Sequence, residues 1–292
     1  MLRLLSQARN GMRFFKRVRV GWHILQGTFK AIIFSHQKYF LFCALITATQ
    51  FVRLYITSRI DPDISVSALL VEPIMGRGFF DILSEHISLS KRLPNQELAA
   101  SSLDTLLFFI EVFVVLFSSA AATYYTLFSG STLIHSFKKA FQKVPQLLMW
   151  TFIQCFVLLI SDVGGIVGQF LYLSWQLSSS LFIPILMFQS QSFLMLLRKT
   201  FSAFKQRLGN ILGADLFFDV GFVLLTSLFY YHYGQDITPT FGFLAPERLS
   251  TVTILVMLYL NSILIVAEAL VLANLYQYFY TQPARVKKEL LS

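Results

Sequence analysis

Acidic residues are missing from the first sixty positions: none precedes Asp61. Charge of either sign is scarce, at 13% of 292 residues, where a soluble domain carries roughly a quarter. With 55% of the residues hydrophobic and 16% aromatic, the chain is not an ordinary soluble domain. Apolar runs recur almost to the C-terminus and leave little room for a separate one. Cysteine is nearly absent. Cys43 and Cys155 both fall inside apolar runs and read as buried reduced thiols, since a disulfide would need them at one depth on facing helices. No CxxC or Cys/His cluster suggests a metal, and the five histidines share no ligand spacing. GxSxG, HExxH and Walker patterns are missing too. The "GRG" at Gly76–Gly78 is too short to carry meaning. No cofactor and no enzyme activity are expected.

What is present is an asymmetric distribution of basic residues. The net charge of +9 does not point to nucleic acid, because Arg3, Arg9, Arg13, Lys16, Arg17, Arg19, Lys30 and Lys38 precede the first apolar run. Basic residues there set membrane orientation and attract anionic headgroups. The basic stretch is too long for a cleavable signal peptide, and no small-residue site follows it. It also fits a mitochondrial transit peptide. The preferred reading is an interfacial helix and a retained span.

A transmembrane helix needs about 20 mainly apolar residues. Six stretches qualify: Tyr39–Thr57, Leu103–Phe128, Leu147–Val163, Ile166–Gln189, Leu216–Tyr231 and Thr251–Tyr280. They divide the chain into a basic segment 1–38, a six-span membrane domain 39–280 with an outer loop 58–102, and a basic tail 281–292. With both termini inside, the inner segments 1–38, 129–146, 190–215 and 281–292 hold 8, 3, 4 and 3 basic residues, 18 of the chain's 24. The outer loop instead carries six acidic residues against four basic ones. This alternation predicts cytoplasmic termini. Tyr124, Tyr125, Tyr230, Tyr231, Tyr233, Tyr276, Tyr278 and Tyr280 lie at span ends, where amphipathic rings settle.

Two inner segments resemble each other. Ser136 and Phe137 match Thr200 and Phe201 at an offset of 64 residues, Lys143 matches Arg207, and Pro145 matches Gly209. Thr28 and Phe29 stand at the same distance before span one, as a fainter third copy. Each reads as a basic amphipathic helix lying in the interface, then a breaker, then a span. The expected fold is all-α: six transmembrane helices as three hairpins, each led by a cytoplasmic interfacial helix. Lys138, Lys139, Lys143, Arg198, Lys199, Lys205 and Arg207 are the candidate headgroup contacts.

The runs "SGSTLIHSFKKAFQKVPQLLMW", "LFIPILMFQSQSFLMLLRKTFSAFKQRLGNIL" and "ANLYQYFYTQP" resemble a bacterial six-span membrane-protein family of unknown function. The likeness spans roughly 20–280 and implies fold and inner-membrane location, without an activity. Family members often carry a Glu shortly after the "VP"-type step, here Ile183-Pro184, where this chain has Gln189.

Ionisable groups inside a bilayer are expensive, about 2.5–3.5 kcal/mol for Asp at a span centre. Glu111, Asp219 and Glu268, with Asn261, Asn274 and Gln189, are the candidate polar cavity, fit for a headgroup, a cation or a proton. The plainer alternative is that Glu111 and Glu268 are protonated and bonded to Ser or Asn across helix contacts. Ser118–Ala122 gives a small-xxx-small stripe suited to close packing. The outer loop 58–102 is a possible docking surface for a protein partner. A scaffold, assembly or lipid-interacting factor is therefore expected, with a small transporter or channel as the runner-up.

Overall fold

Helix α1 (His36–Ile60) and helix α2 (Asn95–Leu127) open the structure, a computed structural model. It describes residues 18–28, 36–60, 95–128, 130–163, 177–205 and 251–281, and positions 30, 32, 168, 171, 174, 175, 208 and 211. Helices α3 (Leu133–Phe141), α4 (Val144–Val163), α5 (Phe182–Phe188) and α6 (Thr251–Thr281) follow. Residues 18–28 and 193–205 are helical too, and no strand occurs among the described residues. Spanning chains close every backbone hydrogen bond within a helix, because hydrocarbon offers no partner.

Among the described residues, three helices are long and apolar enough to cross a membrane: Gln37–Thr57, Thr105–Leu127 and Leu258–Tyr280. They correspond to the first, second and sixth expected spans. The fifth, 216–231, lies outside the described residues, as do most of the outer loop and the C-terminal tail. The third appears as α4, and 20 residues at 1.5 Å each give it about 30 Å. The fourth is not one helix. Residues 177–179 are helical, Ser180 and Leu181 form a turn, and α5 begins at Phe182. Pro184 explains the interruption, because its nitrogen has no hydrogen for the Ser180 carbonyl and its ring crowds it.

Helices α1, α2 and α6 pack against one another, and α3, α4 and α5 lean on α2. Tyr39 meets Tyr125 at 6.0 Å between ring centroids, and Arg53 meets Glu111. Stepping 14 residues up α1, from 39 to 53, means stepping 14 down α2, from 125 to 111, so the two run antiparallel. Ser118, Ala120, Ala121 and Ala122 are fully buried, so the small-residue stripe lies inside the packed core. Trp150 of α4 stacks on Phe182 at 3.9 Å. The Trp175 indole N–H donates to Gln154 Oε1 at 3.1 Å, tying the chain before α5 to α4.

The connection from α2 to α3 turns at Gly130, whose φ of 98° suits a residue without a Cβ. Thr132 caps α3 by accepting from the His135 N–H at 3.2 Å. Lys138 and Lys139 lie in its last turn, where the dipole favours cations. Pro145 sits in the first turn of α4, where the N–H it lacks would have no partner. The turn expected at Gly209 lies outside the described residues.

One structural detail runs through all three proposed copies of the unit. Thr28, Ser136 and Thr200 are buried, and each hydroxyl donates to the carbonyl four residues earlier: Ile24 at 2.8 Å, Thr132 at 3.0 Å and Leu196 at 2.9 Å. Leu147 and Ile211, a further matched pair at the offset of 64, are both fully buried.

Candidate functional site

Helix α5 ends at Gln189, whose backbone is extended (φ −120°, ψ 141°) while its N–H still reaches Ile185 O. That exit turns Gln189 toward three other elements. Lys143, in the α3–α4 turn, donates from Nζ to the Gln189 backbone oxygen at 3.2 Å. Lys199, on the 193–205 helix, donates to Gln189 Oε1 at 2.7 Å. The Gln189 amide Nε2 donates in turn to the Tyr276 hydroxyl of α6 at 3.0 Å. The Phe188 ring packs between Phe128 at 6.1 Å and Tyr276 at 5.5 Å. The ends of α2, α5 and α6 therefore meet at one place, called the basic end below.

The electrostatics of this cluster are one-sided. Two ammonium groups bond to one neutral residue, and among the described residues neither is paired with a carboxylate. Burial, then the neighbouring Lys139 charge, holds Lys143 below the ordinary lysine pKa of 10.5. Lys138, Arg198 and Lys205 are exposed. On α3, Lys138 stands between Ile134 and Phe141, 82% and 71% exposed, and Leu194 on the 193–205 helix is 77% exposed. Large apolar side chains flanking a flexible cation suit an interface, where the stem lies in the apolar layer and the charge reaches headgroups. Arg207 lies outside the described residues.

The six candidate cavity residues do not gather in one place. Gln189 is in the cluster. Asn274 donates from Nδ2 to Thr28 Oγ1 at 2.9 Å, linking α6 to the 18–28 helix. Asn261 and Glu268 are half-buried on α6. Asp219 lies outside the described residues. Glu111 sits toward the opposite end of α2, 16 residues from Leu127, or about 24 Å along the axis. Its partner is Arg53, at 3.0 Å, with both side chains buried. The Arg53 guanidinium also lies 4.9 Å over the Phe108 ring, a cation–π contact.

Sequence reading missed this pair. It also missed the row to which Arg53 belongs: Cys43, Thr47, Gln50, Arg53 and Thr57 are all buried along α1. Thr47 and Ser262 hydroxyls meet at 2.8 Å, bridging α1 to α6. The polar spacing of three and four residues from Thr47 to Thr57 was the available signal. Tyr276 was read only as a headgroup-level ring, and no spacing rule could have joined it to Gln189, 87 residues earlier. Among the described residues no group of His, Cys, Asp and Glu could hold a metal ion.

No protein-family model, curated protein or solved structure matches the chain.

Proposed function

We propose that this is a non-enzymatic integral membrane protein of six spans, arranged as three hairpins. Its basic interfacial helices engage anionic lipid headgroups at the cytoplasmic face. The observation that carries this reading is the basic end. Cations and large exposed apolar side chains share the surfaces of two short helices there, and no carboxylate among the described residues neutralises Lys143 or Lys199. The distribution of Lys and Arg supports the orientation, and the likeness to a bacterial six-span family supports an inner-membrane location. A scaffold or assembly role, with a protein partner docking on outer loop 58–102, is compatible with lipid engagement at the other face.

The test is native mass spectrometry of the full chain extracted gently from its own membrane. Anionic phospholipids should be enriched over bulk composition, and neutralising Lys138, Arg198 and Lys205 with Gln should remove most of that enrichment. A retained-lipid profile identical to the bulk membrane sinks the proposal. The buried Arg53–Glu111 pair favours a second reading, a small transporter using intramembrane acids. That reading requires Glu111→Gln to abolish an ion or proton flux in proteoliposomes without altering lipid retention.

A further inference from the structure

We propose that Lys143, Lys199, Gln189 and Tyr276 form a single stereospecific site for the phosphodiester of a phospholipid whose headgroup also carries a hydroxyl or N–H donor. It rests on the leaflet-binding reading and makes that reading specific, separating one built site from diffuse attraction by surface lysines.

Three observations support it. First, each ammonium uses one of its three N–H groups on Gln189 and so has others for a phosphate. The acceptors that hold them are a backbone carbonyl and an amide oxygen, which fix position without cancelling charge. Second, Gln189 is itself fixed, by its own N–H to Ile185 O and by its amide to the Tyr276 hydroxyl. The donors therefore meet a phosphate with little rearrangement. Third, Gln146, one helical turn after Lys143, and Gln191, two residues after Gln189, each keep a buried amide oxygen with no donor among the described residues. Buried acceptors favour a partner, and a phosphate alone has none to give. A headgroup bearing its own donor satisfies both halves.

The identity of residue 189 matters. A carboxylate there would pair with Lys199 and place a negative charge beside Lys143, whereas the amide keeps the positive charge available. Gln189→Glu is therefore the sharpest variant, because it preserves shape.

The experiment uses the full chain in phosphatidylcholine nanodiscs, doped either with phosphatidylglycerol or with phosphatidylmethanol, which has equal charge and no headgroup hydroxyl. Native mass spectrometry counts the lipids retained. One phosphatidylglycerol per chain should be held, and phosphatidylmethanol about tenfold less tightly, as one missing hydrogen bond to a buried group predicts. Lys143→Gln with Lys199→Gln, and separately Gln189→Glu, should each weaken retention by at least about tenfold. Equal binding of the two lipids overturns the donor requirement, and unchanged binding by Gln189→Glu overturns the site. Complete displacement by inorganic phosphate overturns the lipid assignment in favour of a soluble phosphate compound. Loss on neutralising Lys138, Arg198 and Lys205, with none on altering Lys143 and Lys199, overturns the site but leaves leaflet binding standing. A wild-type chain that retains no anionic lipid removes the leaflet reading itself.

Discussion

Removing the carboxylate from Glu111 leaves Arg53 charged, buried and against Phe108, and the size of that effect follows from geometry. At 3.0 Å and an effective dielectric constant of about 20, the two charges attract by about 5.5 kcal/mol. Taking them out of water costs several kcal/mol each, so attraction and desolvation nearly cancel. The intact pair contributes little net stability. Breaking it is different, because desolvation persists while attraction vanishes. Glu111→Leu should destabilise the chain by about 3–5 kcal/mol. Glu111→Gln should do less harm, since an amide oxygen still accepts from the guanidinium. The double variant Arg53→Met with Glu111→Leu should return close to wild type. The assay is reversible unfolding in mixed micelles with increasing dodecyl sulfate, followed by circular dichroism, and it yields a double-mutant cycle. Additive losses in the double variant would refute the reasoning, because the two residues would then act independently. A wild-type-like Glu111→Leu would show that water reaches Arg53.

Further outcomes are expected elsewhere. Trp150→Ala should cost about 3–5 kcal/mol, because the indole is 1% exposed and stacked on Phe182; thermal unfolding in detergent checks it, and a loss under about 1 kcal/mol contradicts the packing. Thr28→Val should cost about 1 kcal/mol more than Thr200→Val in the same assay, because only Thr28 also accepts from Asn274. Lys143 has a folded pKa below 10.5, so its charged form is disfavoured in the fold. That penalty is fully present below the folded pKa and disappears as pH rises to 10.5, so stability should increase with pH across this window. Lys143→Gln should flatten that segment of the stability–pH curve, and an unchanged slope would assign the titration elsewhere. Reporter fusions within 61–94 and 232–250 should appear outside and fusions within 129–146 and 190–205 inside. An expected-outside and an expected-inside segment found on the same side overturn the six-span topology.

How much of this was legible in the residues follows from the range of each interaction. Apolar runs and local breakers act within a few positions, so α1, α2 and α6 were readable, and so was the step at Pro145 from α3 into α4. Matched hydroxyls were readable as a faint pattern; Thr28, Ser136 and Thr200 each bond one turn back, as do Thr47, Thr126, Thr151 and Ser262 elsewhere. The break before α5 was legible in principle, since Pro184 sits inside the expected fourth span. Apolarity nonetheless dominated the reading of that stretch. Long-range pairings were not legible. Arg53 and Glu111 are 58 residues apart across the outer loop. Their meeting depends on the antiparallel register of α1 and α2, which only packing sets.

The same distinction explains why two separate sets of candidate residues converge at Gln189. Lysines at 143 and 199 were assigned to headgroups from charge alone, and Gln189, at the end of the expected fourth span, to a candidate polar cavity. A basic helix lying in the interface has to end where a span begins, so its last cation stands beside the mouth of a neighbouring helix. When α5 ends in an extended residue rather than a further turn, it leaves a backbone carbonyl and an amide in that mouth. Lys143 and Lys199, from separate helical segments, meet one neutral acceptor at Gln189, and on the proposed reading their remaining N–H donors serve a phosphate. If Gln189→Glu stabilises the chain while releasing its lipid, charge complementarity at that one position is the determinant. If the lipid stays, the basic surface as a whole is.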